Sequence, residues 1–341
     1  MLEELLVTPR FNPKIDPSLG IWTWEIAVYL FLGGLTAGII VFAALALLKQ
    51  KPGQSSFSAD KLALWGPIAL SLGMTTLFLD LEHKLFVFRF YTTFELSSPM
   101  SWGAWVLIII YPVTILQILS TLRAGYPTAA GLVDRVAMGK WLLDLAARYK
   151  RPIAIIAIPS AVALGIYTGI LLSAFNARPF WNSGLLGVLF LVSGLSTAAA
   201  FVILMAKDKT EKRWYVQVDL GLILIELVIV VLLLINLATG SQQHLQAFAY
   251  LTSLSGYALV FWVLFIGLGL LVPLVVEFLE LVKENRTLAL LGPILVLLGG
   301  YVLRHVTVNL GQETAWQDYR LEHNPQLLER IMTNYIDGEL K

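Results

Sequence analysis

The chain has 341 residues, a formal net charge of +1, 57% hydrophobic residues and only 14% charged ones, where a soluble domain carries roughly 25%. It contains no cysteine, which excludes a thiolate-held iron–sulfur cluster, a disulfide and a thiol nucleophile among its own residues. The near-neutral charge, with no basic cluster, gives no footing for nucleic acid.

The mean hydropathy is +0.76, and the apolar residues fall in long unbroken runs instead of the periodic stripes of a soluble helix. A hydrocarbon core of about 30 Å needs roughly 20 residues of helix. Backbone polar groups cannot stay unpaired in lipid, so such runs must be helices. The first 20 residues hold Glu3, Glu4, Arg10, Lys14 and Asp16 and do not read as a signal peptide; the apolar run after them reads as a first span.

In chain order the sequence predicts helices at 21–48, 62–82, 100–122, 152–174, 184–206, 219–238, 253–281 and 288–308. The expected fold is an all-α integral membrane protein of eight transmembrane helices in two four-helix bundles. Residues 21–174 would form the first bundle and 175–308 the second. An N-terminal segment, 1–20, and a C-terminal tail, 309–341, would flank them. Fifteen of the 24 Lys and Arg residues fall in the loops after spans one, three, five and seven, which places those loops in the cytoplasm and both termini outside a prokaryotic inner membrane. In the third loop, Val133, Ala137, Trp141 and Leu145 form a stripe that predicts an amphipathic helix on the cytoplasmic leaflet. The polar tail from Glu313 to Lys341 reads either as a mobile extension or, the favoured reading, as a docking strap for a soluble partner. A weak repeat links Phe31-Leu-Gly-Gly34 with Ser193-Gly194 and Gly165-Ile-Tyr167 with Gly299-Gly-Tyr301.

Charge inside a span costs at least about 2.5–3.5 kcal/mol at the helix centre, so its position is informative. In span one, Glu25 and Tyr29 share a face, with Gly34 and Gly38 forming a small-residue contact surface. Glu25 is either a snorkelling interfacial carboxylate or, the reading preferred here, a group facing a bound polar ligand. Asp80 and His83 end span two at i, i+3, which suits a proton acceptor and relay or a polar helix cap. Ser98-Pro99-Met100-Ser101-Trp102-Gly103-Ala104-Trp105 opens span three. Span four carries Tyr167 and Thr168 between glycines, and Arg178-Pro179 follows it. With Arg304 and His305 at the end of span eight, these groups gather ionisable chemistry at the outer surface. In span six, Asp219 and Glu226 lie on one face, either as proton-path candidates or as groups paired structurally with a Ser or Tyr of a neighbouring helix, whereas Glu277 and Glu280 read as interfacial. None of the four histidines lies near the middle of a span, so no haem is expected, and no metal site is expected either.

Trp24-Glu25, Tyr29 to Gly34, Ala37-Gly38, Asp80, the Ser98–Trp105 string, Tyr167-Thr168-Gly169 and Arg178-Pro179 together resemble the NrfD/PsrC-like membrane subunits of polysulfide reductase and related respiratory complexes. The resemblance implies two four-helix bundles with no redox centre in this chain. It implies a menaquinone or other quinone site at the extracytoplasmic end of the first bundle. A ferredoxin-like 4Fe-4S subunit would dock there and pass electrons to a molybdenum or tungsten pterin subunit, so the chain is not catalytic alone. By register on the family's glycine motif, Tyr29 and Tyr167 would hold the quinone oxygens, with Thr168 and Arg178 beside them. The family's first-helix Asn position falls near Glu25 and Ile26, so Glu25, Asp80 or His83 would take the proton role. A secondary transporter and a purely structural anchor are the two rival readings.

Overall fold

The computed structural model describes residues 22–51, 53–253, 256–283 and 286–314. The expected N-terminal segment, 1–20, and the docking strap beyond residue 314 lie outside them. The described residues contain helices and no strand. Eight helices are long and apolar enough to cross a membrane: α1 (Trp24–Lys49), α2 (Leu62–Asp80), α3 (Pro99–Gly125), α4 (Lys150–Ser173), α5 (Leu185–Met205), α6 (Lys209–Thr239), α7 (Gly256–Lys283) and α8 (Thr287–Glu313). The chain is a multi-pass membrane protein.

α1 is the most enclosed helix, with every residue from Gly33 to Ala44 buried. It packs on α2, α4, α5 and α8; α5 in turn packs on α4, α6 and α8, α3 on α4, and α7 on α8 and α6. Lipid gives no hydrophobic drive between helices, so close contact rests on small residues. At Gly38 any side chain would run into the Gly194 carbonyl and the Ala198 methyl group. The two segments that echo one another in sequence are thus the facing halves of the α1–α5 seam. The outward faces are the apolar ones: Leu224, Val228, Val231 and Ile235 of α6 are all exposed, as lipid contact requires.

Two elements differ from the sequence expectation. α6 begins at Lys209, ten residues before the predicted start at 219. Asp208 and Glu211 have the spacing of a capping box: the Asp208 carboxylate accepts the Glu211 N–H at 2.8 Å. The Glu211 side chain turns away to accept the Phe57 and Ser58 N–H groups at 3.0 and 2.8 Å, capping the helix Phe57–Asp60. Polar residues therefore wind into helix beyond the apolar run. The third loop holds two helices, Pro127–Val133 and Ala137–Arg148, not one. They are parted near Asp134, whose carboxylate pairs with Arg123 at 2.7 Å, while Asp144 takes the other arm of that guanidinium, also at 2.7 Å. Leu143 and Ala146 face the protein; Met138, Trp141 and Leu145 stay exposed, the apolar stripe of a surface-lying helix.

The start of α1 is tied to the end of α8. The Trp22 N–H donates to Gln312 Oε1 and Gln312 Nε2 donates to the Trp22 carbonyl, both at 2.8 Å. Trp22 stacks on Trp181, whose indole N–H donates to the Thr307 carbonyl at 2.7 Å.

Candidate functional site

α2 stops at Asp80, because Leu81 turns into extended backbone. His83 therefore lies outside the helix, and the shared Asp80–His83 face expected from i, i+3 spacing does not form. The backbone runs on through two short turns, Lys84–Phe86 and Arg89–Thr92, before Pro99 opens α3. A cavity of about 510 Å³ opens beneath this segment. His83, Arg89, Glu95 and Ser101 bring polar groups to its wall, and Phe86 and Phe90 bring apolar ones.

The string that opens α3 builds this wall. Ser101 Oγ accepts the Glu95 N–H at 3.0 Å and donates to the Thr93 carbonyl at 3.2 Å. The Trp102 indole N–H donates to the Leu96 carbonyl at 2.8 Å. Ser97 donates from its hydroxyl and its N–H to Glu95 Oε1, which holds that carboxyl below the usual carboxylate range. Gly103 makes room for the Tyr167 ring, into which any Cβ at that position would run. One short motif thus ties down the loop and seats a tyrosine of α4.

Tyr29 and Tyr167 are both buried, each only 7% exposed, and are electrostatic neighbours. Tyr91, from the loop, lies against Tyr29 in the same sense, and Tyr111 of α3 against Tyr91. Asp80 and Glu25 form a second neighbouring pair, both half-buried, with Glu25 also accepting the Thr23 hydroxyl. Five of the expected groups, Glu25, Tyr29, Asp80, His83 and Tyr167, therefore come from the same end of α1, α2, the following loop and α4. Tyr91 joins them from a loop that carries no motif. The other two expected groups are engaged elsewhere. The Thr168 hydroxyl donates to the Gly165 carbonyl of its own helix. Arg178 donates to the Gln312 and Thr314 carbonyls at 2.9 and 3.1 Å, gripping the end of α8. Among the described residues no three His, Asp or Glu side chains gather as a metal site would need.

The model of the polysulphide reductase family NrfD matches residues 13–315. The chain belongs to that family. It is 30% identical over 308 residues to a polypeptide of the polysulfide reductase of Wolinella succinogenes, covering 86% of this chain and 94% of that one. It is 28% identical to protein NrfD of Escherichia coli over 75% of this chain and 84% of the relative. A subunit of the selenate reductase of Mesobacillus selenatarsenatis is 24% identical over 92% of this chain and 80% of its own length.

This NrfD-family chain also holds a set of ionisable groups inside its second half. Asp219 is wholly buried and accepts the Ser196 hydroxyl at 2.5 Å. Glu277, expected at the interface, is also wholly buried, facing Asp219 across the α6–α7 contact. The early start of α6 explains the difference. Ten residues of α6 precede Asp219 and six of α7 follow Glu277, so α6 projects about one turn further and both carboxyls meet below the surface. Glu226 lies seven residues, or roughly 10 Å, deeper than Asp219 on the same helix. Arg304, expected at the outer end of α8, is wholly buried. It donates to Ser193 Oγ at 2.6 Å and to the Gly300 and Phe190 carbonyls, both at 2.9 Å. Its guanidinium also lies over the Phe190 ring and is near enough to Glu226 to act on its charge, without a direct ion pair. In the sequence, the only signal for Arg304 was a cation sixteen residues into an apolar span; depth comes from helix pairing.

Proposed function

We propose that this protein is the membrane subunit of a respiratory oxidoreductase complex and exchanges electrons with a quinol of the menaquinone type at the cavity beneath the α2–α3 loop. The relatives' names support the subunit role: one is a polypeptide of a polysulfide reductase, another a subunit of a selenate reductase. The cavity carries the quinol part. It sets an imidazole, a guanidinium and hydroxyls against phenylalanine rings, as a ring with two polar oxygens and an apolar body requires. Of the groups expected from the sequence, His83 lines the cavity itself; in this reading Tyr29 and Tyr167, from the same end of α1 and α4, hydrogen-bond the quinol oxygens, and Glu25, Asp80 or His83 takes protons as electrons leave. Thr168 and Arg178 hold this end of the helices in place.

The distribution of basic residues supports placing the cavity on the extracytoplasmic side of the inner membrane. A ferredoxin-like 4Fe-4S subunit would dock there, with a molybdenum or tungsten pterin subunit beyond it. The order of helix contacts supports two four-helix bundles, α1–α4 and α5–α8, meeting along the α1–α5 seam.

A second reading is favoured by the burial of Tyr29 and Tyr167 and by the engagement of Thr168 and Arg178: a membrane anchor whose partner performs all the quinone chemistry. The relatives support it better than they support a quinol site in this chain itself. The assembled complex distinguishes the two. With a quinol site here, Tyr167→Phe, Glu25→Gln and His83→Gln each lower quinol oxidation at least tenfold while the subunits still copurify. With an anchor, all three keep full turnover.

A further inference from the structure

The interior of α5–α8 holds more carboxylates than cations. Arg304 offsets Glu226, with Ser193 against both. At the loop end of α7, Glu280 lies near Lys212 of α6. Between these two positions stand Asp219 and Glu277, with no cation against either among the described residues. Their one outside hydrogen bond comes from Ser196 to Asp219 Oδ1. Asp219 Oδ2 and both Glu277 carboxyl oxygens are enclosed without a hydrogen-bond partner among the described residues. Gly292 of α8 lies against the Glu277 side chain, where a Cβ would sit 2.8 Å from its Cγ and press on it.

Two bare carboxylates cannot hydrogen-bond each other, since each only accepts. Removing one ion from water without a counterion costs several kcal/mol, and two like charges side by side cost more. A proton between the oxygens removes one charge and supplies the missing donor in a single step. We infer that the Asp219–Glu277 pair is a proton-binding site that holds an exchangeable proton at neutral pH. Glu280 and Lys212 lie between it and the α6–α7 end of the bundle, and Glu226, Ser193 and Arg304 lie beyond it toward the opposite face. The inference extends the Asp219–Glu226 proton route expected from the sequence and adds Glu277 as the group that makes the site bind. It rests on that route and not on the quinol reading.

Infrared difference spectroscopy of the full chain in detergent, without quinone, in H2O and D2O, tests it directly. The expected result is a buried carboxylic-acid C=O band at neutral pH that shifts in D2O and is lost or displaced in both Glu277→Gln and Asp219→Asn. Ser196→Ala keeps both carboxyls and should shift the band; it serves if the amide variants do not fold. A band pattern unchanged in every variant that folds overturns the proposal. So does a band abolished by sodium, which would assign the site to a metal cation. No quinol turnover enters the measurement, so the redox reading can fail while this result stands.

Discussion

The α2–α3 loop and the interior of α5–α8 are both rich in polar side chains, but they satisfy them in opposite ways. Around the loop, Ser97, Ser101 and Trp102 bond to backbone or to an exposed carboxylate, and His83 and Arg89 line an open cavity. Inside the second half, Asp219, Glu226, Glu277 and Arg304 are wholly or almost wholly buried, and their hydrogen bonds go to Ser193, Ser196 and backbone carbonyls of the helices around them. The first arrangement leaves chemistry facing a visitor from outside. The second encloses its chemistry among the helices. A charge lost from the interior therefore strands its partner, whereas a group lost from the loop is replaced by water or lipid headgroup.

The largest expected effect tests the interior. Arg304→Met leaves Glu226 without its cation and should cost about 3–5 kcal/mol, read as loss of folded protein in a detergent unfolding assay. Pairing it with Glu226→Gln should recover most of that loss; equal damage in the double variant would place the role of Arg304 in its bonds to Ser193 and the Phe190 carbonyl. Next, Gly292→Ala presses a methyl group on Glu277 and should cost roughly 1–3 kcal/mol by overpacking in the same assay. At the loop, Ser101→Ala removes two hydrogen bonds and should cost only about 1 kcal/mol. Its signature is faster proteolysis between Thr93 and Ser98 with the membrane core unchanged. A cost matching that of Arg304→Met would erase the contrast between the regions.

The smallest effect is in pH. Ser97 holds the exposed Glu95 carboxyl below its ordinary value, so its contribution to loop order is complete above about pH 4.3, the value of a free glutamate. That contribution is lost only as pH falls through the lowered value. Protease sensitivity of the loop should stay level from neutral pH down to about pH 5. In Ser97→Ala the rise should begin at higher pH than in the parent protein.

Membrane insertion and helix number were legible because lipid allows the backbone so few solutions. The Gly34–Gly38 surface was legible too, since small residues at i, i+4 have one common use. The interior was only half legible. Asp219 and Glu226 stand out inside an apolar run, but Glu277 lies near a helix end and looks interfacial until the start of α6 is known. That start depended on Asp208 and Glu211, a polar cap outside the apolar signal. The Asp80–His83 pairing failed for the converse reason: spacing implies a shared face only while the helix continues, and α2 ends at Asp80. Tyr91 had no signal at all, being brought to Tyr29 by a loop whose path is set by Ser101 and Trp102.

α1 comes before the other seven described spans in the chain and is the one most surrounded by its neighbours. Its glycine seam waits for α5, and the Trp22 clasp waits for Gln312, 290 residues downstream. Until those arrive, lipid tails must cover a helix surface shaped for protein. Assembly of this protein is therefore an exchange of lipid for helix around α1, and the Gln312 clasp closes only after α8 has entered the bilayer.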